Sequence, residues 1–290
     1  MTRIQTPPIS TSTVVERTYR PTIGVVVISK NEEREMPSFL AHLLPWVDEI
    51  IIVDDTSTDG TQALARAAGA KVRVIEQALH PTYGFAGQRN RGIAAATADW
   101  LLHMDMDERV PPDLIMEIQQ AICNPARDAY RYRRLNFFLH RPMRGGGWQT
   151  WNKPQLARRG MHQFEHAVHE ECIIQTTPDR IGQLQHQMWH LNDENYNERM
   201  RKSFQYSQAE ADKLLTRRQV RWYHLLAFPF WQFARLYVGK AGFRDGTPGL
   251  LAALHSACAS FRAHALVWDQ QNALPRPQPP ILNKRVARSQ

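Results

Sequence analysis

The sequence predicts an α/β fold with a mainly parallel central sheet, flanking helices and a helical extension at the C-terminal end. Two observations support this fold class. Short apolar or β-branched runs alternate four times with segments of helical pattern between residues 23 and 104, an order typical of parallel sheets. Polar and acidic residues follow directly after these runs, and ligands of such sheets bind beyond the carboxyl ends of the strands. We therefore expect the functional residues at that end of the sheet.

The predicted elements follow one another regularly. They are strand 23–29, a helix from 30–33 to about 44, strand 50–53, helix 61–68, strand 71–75, helix 88–96 and strand 100–104. Continuous β-branched runs such as Ile23–Ser29 are expected in strands buried on both faces. Thr58 or Asp59 is a suitable N-cap for helix 61–68. Gly84–Gly87 is predicted to be a flexible loop.

The stretch 100–112 carries the densest group of acidic residues. A short apolar strand ends in the carboxylates Asp105, Asp107 and Glu108, and a helix begins at two prolines. Carboxylates crowded at the end of a buried strand resist desolvation, and a divalent cation removes that penalty. Mg²⁺ commonly takes one or two protein carboxylates and completes its shell with water and phosphate oxygens. This stretch is interpreted as a metal–diphosphate site, and a plain acidic loop is the alternative.

The pattern changes near Tyr130. Tyr130–Phe138 alternates aromatic and basic residues, which predicts a strand along the edge of the site. The Gly-rich segment Arg144–Trp148 lacks the Lys-Ser/Thr of a P-loop. It is predicted to be mobile, either a substrate-side flap or a plain hairpin connection. Helices are predicted over 194–215, 219–239 and 247–268.

Four regions are expected along the chain. They are a disordered segment 1–21, a catalytic domain 22–192, a helical region 193–270 and a disordered basic tail 271–290. The first segment is rich in Thr, Ser and Pro and lacks the apolar core of a signal peptide. No apolar run is expected to be long enough to span a bilayer.

Composition limits the partners and the compartment. The formal net charge of +8 favours an acidic partner such as a nucleotide, a phosphorylated glycan, an anionic membrane or nucleic acid. Three well-separated cysteines argue against a disulfide framework and fit a reducing cytoplasm. No nucleic-acid-binding motif is visible, so nucleic acid is not an expected partner.

Motifs in a fixed order resemble those of family 2 glycosyltransferases with the GT-A fold. The matching segments are Ser29-Lys30-Asn31-Glu32, Val53–Asp59, Gly87-Gln88-Arg89-Asn90 and Met104–Glu108. Later segments are similar to the lipopolysaccharide-core β-glucosyltransferase branch: Gly146-Gly147-Trp148, Val168-His169-Glu170, Trp189-His190 and Gly242–Leu250. The resemblance covers about Ile23 to Trp268. It departs from that branch at Asp54-Asp55, where one Asp is usual, and at Gln155-Leu156-Ala157.

The resemblance implies inverting transfer of a hexose such as glucose from a UDP-sugar to a cell-envelope glycan or glycolipid, such as lipopolysaccharide core. The residues implied in binding the nucleotide-sugar are Asn31, Asp54, Asp55, Arg89 and Asp105, with either Asp54 or Asp55 on the nucleobase. Asp107, together with Asp105, is implied as the ligand of Mg²⁺ or Mn²⁺. Glu170 matches the position of the general base, and Glu171 is its local rival. A solvent-facing helix arginine is the alternative for Arg89.

Two features remain open to other interpretations. The apolar residues of Gln219–Lys240 fall at helical spacing between arginines, which fits either a helix packed on the protein or one lying in a membrane interface. A cytoplasmic enzyme in peripheral contact with the inner face of the membrane is expected. His162, His166 and His169 have spacings compatible with one helical face, but without H-E-x-x-H a zinc site is disfavoured.

Two other functional classes compete with sugar transfer. A sugar nucleotidyltransferase would also use a nucleotide-binding α/β sheet and paired aspartates. It would require a Gly-rich basic loop after the first strand, where this chain has Lys30-Asn31-Glu32-Glu33. A non-catalytic module binding an anionic ligand fits the basic charge, but clustered carboxylates would repel such a ligand unless a metal intervened.

Overall fold

The computed structural model describes residues 20–124, 126–166 and 170–277. These divide into two compact units. Within the described residues, the first unit comprises 20–106, 110–132 and 153–186, and the second comprises 107–109, 133–152 and 187–277. Some predictions concern residues outside the described ranges. They are the disordered segment before residue 20, the disordered tail from residue 278 and the motif residues Val168 and His169.

Eleven strands are present in the described part of the chain. They are β1 Ile23–Ser29, β2 Glu49–Asp54, β3 Val72–Glu76, β4 Trp100–Met104, β5 Glu108–Arg109, β6 Ala129–Phe138, β7 Arg141–Pro142, β8 Asn152–Arg158, β9 His162–Glu165, β10 Glu171–Ile174 and β11 Ile181–His190.

Seven α-helices accompany them. They are α1 Met36–Leu43, α2 Thr61–Ala67, α3 Gly84–Ala95, α4 Pro112–Ala121, α5 Tyr196–Leu215, α6 His224–Ala234 and α7 Gly246–Gln271.

Four parallel strands form the core of the first unit, in the order β3-β2-β1-β4. β1 lies between its two neighbours, with Val26 paired to Ile51 on one side and His103 on the other. Val26 and Ile51 are buried, because helices cover both faces of a doubly wound sheet. β8 continues the sheet antiparallel to β4, followed by β6 and β11, so the sheet is mixed. The predicted α/β fold and its four leading strands are confirmed.

Three local predictions for the first unit are wrong. Gly84–Gly87 is the first turn of α3, where the Gly84 N–H donates to the carbonyl of His80 at 2.8 Å. α1 begins at Met36, after a turn that carries Asn31 with a positive φ of 55°. The N-cap of α2 is Gly60, and not Thr58 or Asp59 as predicted. The carboxylate of the adjacent Asp59 nevertheless accepts a hydrogen bond from the Thr61 N–H at 3.0 Å.

Helices dominate the second unit. α7 packs on α5 and α6, and the buried cluster between them contains Ala211, Leu214, Val220, Ala263 and Val267. α5 begins after Asn195, whose side chain accepts the Glu198 N–H as a true N-cap. β7 pairs with the end of β6, and β5 pairs with the end of β11. The three predicted C-terminal helices are present, with shifted starts.

The stretch Gly242–Gln271 is long and apolar enough to cross a membrane by length and composition alone, with a mean hydropathy of 1.3 over its best window. This differs from the expectation that no run reaches that length. Ser256, Arg262 and two histidines interrupt the apolar residues, so the sequence shows no continuous apolar run. Its buried residues include Ala253, Ala263 and Val267, a pattern that a core helix also shows.

Candidate functional site

Asp54, at the end of β2, is completely enclosed by protein donors. Its carboxylate accepts hydrogen bonds from the Ser57 N–H and hydroxyl at 2.8 and 2.6 Å, from Ser29 Oγ at 2.8 Å and from Gln62 Nε2 at 2.6 Å. Burial acts to raise the pKa of Asp54, but these hydrogen bonds outweigh it and lower the pKa. Asp54 therefore fixes the turn after β2, and its oxygens are occupied.

Asp55 is held less completely. One carboxylate oxygen pairs with Lys30 Nζ at 2.6 Å and the other accepts the Leu79 N–H at 2.7 Å. Its backbone N–H donates to the Ser29 carbonyl at 2.8 Å, which continues the ladder between β1 and β2. Each oxygen has one protein donor and can accept another, since a carboxylate oxygen has two lone pairs. Of the two aspartates, Asp55 has the spare capacity to accept a ligand hydrogen bond.

Asn31 joins the two loops at the carboxyl ends of β1 and β2. Its side-chain oxygen accepts the Thr58 N–H at 2.8 Å, and its own N–H donates to Ser57 Oγ at 2.8 Å. Both bonds hold the loop in place. Asn31 adopts a left-handed conformation, which asparagine tolerates better than most residues.

Arg89 on α3 connects two carboxylates that are far apart in sequence. Its Nη2 lies 2.7 Å from Asp105 Oδ1, and its Nε lies 3.2 Å from Glu170 Oε1. The side chain is 7% exposed, so the alternative of a solvent-facing arginine is wrong. Burial acts to lower the pKa of Arg89, but the charges of Asp105 and Glu170 raise it. Nη1 is buried and has no hydrogen-bond partner among the described residues.

Glu170 and Glu171 have different environments. Glu170 is about one-fifth exposed and makes the ion pair with Arg89. Glu171 begins β10, is exposed and pairs in register with Glu165 of β9. Within the described residues, only Glu170 of the two joins the Arg89 cluster.

Asp107 belongs to the second unit, where it lies beside His190. His190 Nε2 is 3.3 Å from Asp107 Oδ2, and its Nδ1 is 2.7 Å from Asn136 Oδ1. Burial acts to lower the pKa of His190, but Asp107 outweighs it and raises the pKa. The sequence pattern alone gives His190 no role in the site. Its place beside an Asp-x-Asp carboxylate emerges only from the pairing of β11 with β5.

Glu108 differs from the two aspartates that precede it. It is completely buried and pairs with Arg134 Nε at 2.5 Å, and the Arg134 guanidinium lies 4.0 Å above the Trp151 ring. The cluster of three carboxylates predicted from the sequence is thus two partly exposed aspartates and one neutralised glutamate. Asp105 and Asp107 keep about a third of their side-chain surface exposed.

The donor set fits a hard divalent cation. Asp105 and Asp107 are two positions apart in the chain and offer carboxylate oxygens, and His190 offers a ring nitrogen beside Asp107. Mg²⁺ prefers oxygen ligands, and Mn²⁺ accepts both carboxylate oxygen and imidazole. These residues are therefore suited to Mg²⁺ or Mn²⁺ bound together with phosphate oxygens.

The Gly-rich segment is anchored within the second unit. The Arg144 and Gly145 N–H groups each donate to the Asp245 carboxylate at 2.8 Å, and the Gly146 N–H donates to the Lys240 carbonyl at 2.8 Å. The predicted loop is present, and the Asp245 carboxylate binds its backbone; its mobility stays a prediction. The motif around Asp245 thereby acquires a structural role.

His103 and His162 form a buried pair in the first unit. Their rings are 4.4 Å apart edge to face, and both residues are buried. His162 lies on β9, so the helical face imagined for a zinc site does not exist at this residue. Burial lowers the pKa of His162 to about 3 and that of His103 well below 6.5.

Comparison with known proteins gives concordant results. Residues 24–175, just over half of the chain, match the model of Glycosyl transferase family 2. The chain is 26% identical over 275 residues to the lipopolysaccharide core biosynthesis glycosyltransferase LpsC of Rhizobium meliloti (strain 1021), covering 88% of this chain and 95% of the relative. An uncharacterized glycosyltransferase of Rickettsia conorii is 25% identical over 250 residues, covering 82% of this chain and 87% of the relative.

A solved structure gives a shorter match. Glucosyl-3-phosphoglycerate synthase from Mycobacterium tuberculosis, in complex with Mn²⁺, UDP and glucosyl-3-phosphoglycerate, is 26% identical with a TM-score of 0.33. The match covers 40% of this chain and 44% of that chain, so it spans less than half of the solved protein. The mixed sheet, the carboxylates at the strand ends and the family match together identify the chain as a member of glycosyl transferase family 2, an enzyme with a GT-A fold that uses a nucleotide-sugar donor.

Proposed function

We propose that the enzyme transfers a hexose such as glucose, with inversion, from a UDP-sugar to a hydroxyl group of a cell-envelope glycan or glycolipid. The acceptor class we propose is lipopolysaccharide core. The similarity to LpsC over most of both chains supports this acceptor, since that relative carries lipopolysaccharide core biosynthesis in its name. We place the enzyme in the cytoplasm, in peripheral contact with the inner face of the cytoplasmic membrane.

The observation that carries the proposal is the buried Arg89 between Asp105 and Glu170. A buried arginine that pairs with carboxylates from two different motifs holds both in a fixed geometry. Its Nη1 has no hydrogen-bond partner among the described residues, so one N–H group remains to bind an anionic oxygen. In the proposed reaction, that oxygen belongs to the diphosphate of the donor.

Asp55 is proposed to bind the nucleobase. The four hydrogen bonds to the Asp54 carboxylate leave it no role in ligand binding, whereas each Asp55 oxygen can accept one more donor. Asp54 and Asn31 then act indirectly, by fixing the loops that present Asp55. Lys30 neutralises Asp55 before the nucleotide binds.

Glu170 is proposed as the general base. Inversion requires a base that takes the proton of the acceptor hydroxyl as that oxygen attacks the anomeric carbon and the bond to the nucleoside diphosphate breaks. Arg89 fixes one Glu170 oxygen and leaves the other available for this proton. Glu171 is exposed, pairs in register with Glu165 and lacks this support.

Asp105 and Asp107, with His190 beside Asp107, are proposed to hold the divalent cation. When bound, such a cation stabilises the negative charge that develops on the departing diphosphate. His190 orients Asp107 and is itself oriented by Asn136. Outer partners of this kind commonly fix the ligands of a metal site.

Calorimetric titration of UDP tests the site directly. The titration is run with Mn²⁺ and with EDTA, on the natural protein, on Asp107→Ala and on Asp113→Ala. Asp113 lies in the first turn of α4, outside the cluster, and serves as the matched acidic control. We expect metal-dependent binding that only Asp107→Ala abolishes. The nucleotide–metal site would be refuted if UDP did not bind with either Mn²⁺ or EDTA, or if Asp107→Ala and Asp113→Ala bound UDP equally well.

A panel of UDP-sugars then identifies the donor. Product anomers are analysed by NMR to establish the stereochemistry, and deacylated core oligosaccharide is the first acceptor to test. Turnover without an acceptor-dependent product would reject the proposed acceptor while leaving the donor site intact.

A further inference from the structure

α6 is an apolar helix that has no buried residue among its eleven positions. One side of it packs inward: Leu225 contacts the cluster beneath α7, and Phe228 stacks on His264 with ring centroids 4.6 Å apart. The other side carries large exposed side chains. Amphipathic helices in soluble proteins normally place polar residues there.

The exposed side of α6 and its flanking turns forms an apolar stripe, which we define as Trp222, Leu226, Phe230 and Val238. Their exposed fractions are 72%, 66%, 74% and 65%, respectively. Leu226 and Phe230 are four residues apart on one face of α6, and Trp222 lies in the turn that precedes this helix. A contiguous exposed apolar surface of this kind marks an interaction site.

The segment that carries the stripe contains cationic and no acidic side chains. Between Asp212 and Asp245 the chain contains no acidic residue. Seven exposed cations lie in this segment and make no ion pair among the described residues: Lys213, Arg217, Arg218, Arg221, Arg235, Lys240 and Arg244. The Arg235 guanidinium lies 5.1 Å from the Trp231 ring, so cation and aromatic surface are adjacent.

We propose that this surface docks the protein on an anionic lipid bilayer. Tryptophan and phenylalanine enter the boundary between headgroups and acyl chains, while arginine and lysine remain at the level of the phosphates. Basic residues close to an anionic membrane are attracted by its surface potential. Trp222 and Arg221 are neighbours in the chain at one end of the stripe, and Val238 and Lys240 lie at the other.

Charge argues against the other occupants. If a second copy bound through the same face, a symmetric contact would bring two sets of unpaired cations together. Nucleic acid would satisfy the cations, but it would leave the exposed aliphatic side chains of Leu226 and Val238 in water. Lipid satisfies both the apolar stripe and the surrounding cations. This inference rests on the membrane contact proposed above, to which it assigns a surface, and it is independent of the sugar and of the catalytic residues.

Flotation of the full-length protein with vesicles tests the proposal. Vesicles of phosphatidylcholine alone are compared with vesicles that also contain phosphatidylglycerol, at low and at high salt. The stripe variant combines Trp222→Ser, Leu226→Ser and Phe230→Ser, and the charge variant combines Arg217→Gln, Arg218→Gln and Arg221→Gln. The control combines Met116→Ser and Tyr206→Ser, which remove comparably exposed apolar side chains elsewhere.

The natural protein and the control are expected to float with anionic vesicles at low salt and to release at high salt, because salt screens the surface potential. Each arginine near an anionic surface contributes about fivefold, so the charge variant should partition on the order of 100-fold more weakly. The stripe variant should lose on the order of 100-fold or more, since burying one such side chain shifts an equilibrium at least about tenfold.

Several outcomes overturn the proposal. One is the absence of natural protein from the floating fraction, and another is equal flotation of both variants and the control. Sedimentation velocity provides a third. If the natural protein does not float, sediments as a dimer and becomes a monomer in the stripe variant, the stripe is a self-association surface and the proposal is overturned. Circular dichroism verifies that each variant is folded, and the charge variant decides the matter alone if the stripe variant is not.

Discussion

Replacing Glu170 with glutamine separates the catalytic role of this residue from its structural one. The carboxamide oxygen can still accept the hydrogen bond from Arg89 Nε, now 3.2 Å from Glu170 Oε1. The variant therefore retains the contact and loses the negative charge and the ability to take a proton. Glu171→Gln is the matched control, because it makes the same chemical change one residue away on an exposed strand end.

The two effects differ in magnitude. The exchange keeps a hydrogen bond to the charged Arg89 and removes the attraction between opposite charges, which costs roughly 1 kcal/mol. Glu170 is 22% exposed, and solvent screening reduces this further. Loss of a general base costs about 10²- to 10⁴-fold in turnover, which is about 3–5 kcal/mol of transition-state stabilisation. Activity should thus fall far more than stability.

Three measurements check this expectation. UDP release with the identified donor and acceptor gives turnover, calorimetry with UDP and Mn²⁺ gives donor binding, and urea unfolding gives the free energy of unfolding. Glu170→Gln should bind the donor normally, unfold at a slightly lower urea concentration and lose nearly all turnover. Unchanged turnover would remove Glu170 from the mechanism, and an equal loss in Glu171→Gln would transfer the role to its neighbour.

Three further predictions concern the structure around the site. Gly249→Ala would place a Cβ 1.9 Å from the Gly242 carbonyl oxygen, and we expect about 3 kcal/mol of destabilisation in urea unfolding; a neutral effect would contradict this packing. Asp245→Ala should accelerate hydrogen exchange at the backbone amides of Arg144 and Gly145, which donate to the Asp245 carboxylate; unchanged exchange would show that other contacts stabilise the turn. Burial keeps His103 and His162 neutral in the folded protein, so below pH 6.5 the unfolded chain binds more protons and stability is lost as pH falls. For His162 the loss continues to about pH 3, at about 1.4 kcal/mol per pH unit. Urea midpoints at pH 7.5 and 5.5 measure this, and the variant with leucine at both positions should lose most of the difference.

The parallel strands could be predicted because burial on both faces leaves a continuous β-branched signature. β1 and β2 are almost wholly buried, and their predicted limits are nearly those observed. α3 was predicted four residues late, because Gly84 and Gly87 suggested a loop. A Cβ on Gly92 would come 2.4 Å from Val26 Cγ1, so glycines on this helix permit close packing on the sheet. Composition alone cannot distinguish glycine that loosens a loop from glycine that permits a close approach.

The site residues could be located from the sequence, but their partners could not. Asp54 and Asp55 are adjacent and chemically identical, and only the fold encloses the first and leaves capacity on the second. Glu108 follows two aspartates and appeared to belong with them. Its partner Arg134 comes from a strand that begins more than twenty residues later. Pairings of this kind depend on strand register, which a local pattern does not encode.

Arg89 shows why the cluster functions as one group. Asp105 and Glu170 would repel each other if brought together without a cation, and a buried guanidinium without carboxylates would be costly to desolvate. Each charge therefore requires the other two, although the cluster draws on three separate segments of the chain. Arg89→Met should accordingly impair both donor binding and turnover, whereas Glu170→Gln impairs turnover alone. Normal UDP binding by Arg89→Met would show that the diphosphate does not contact this arginine.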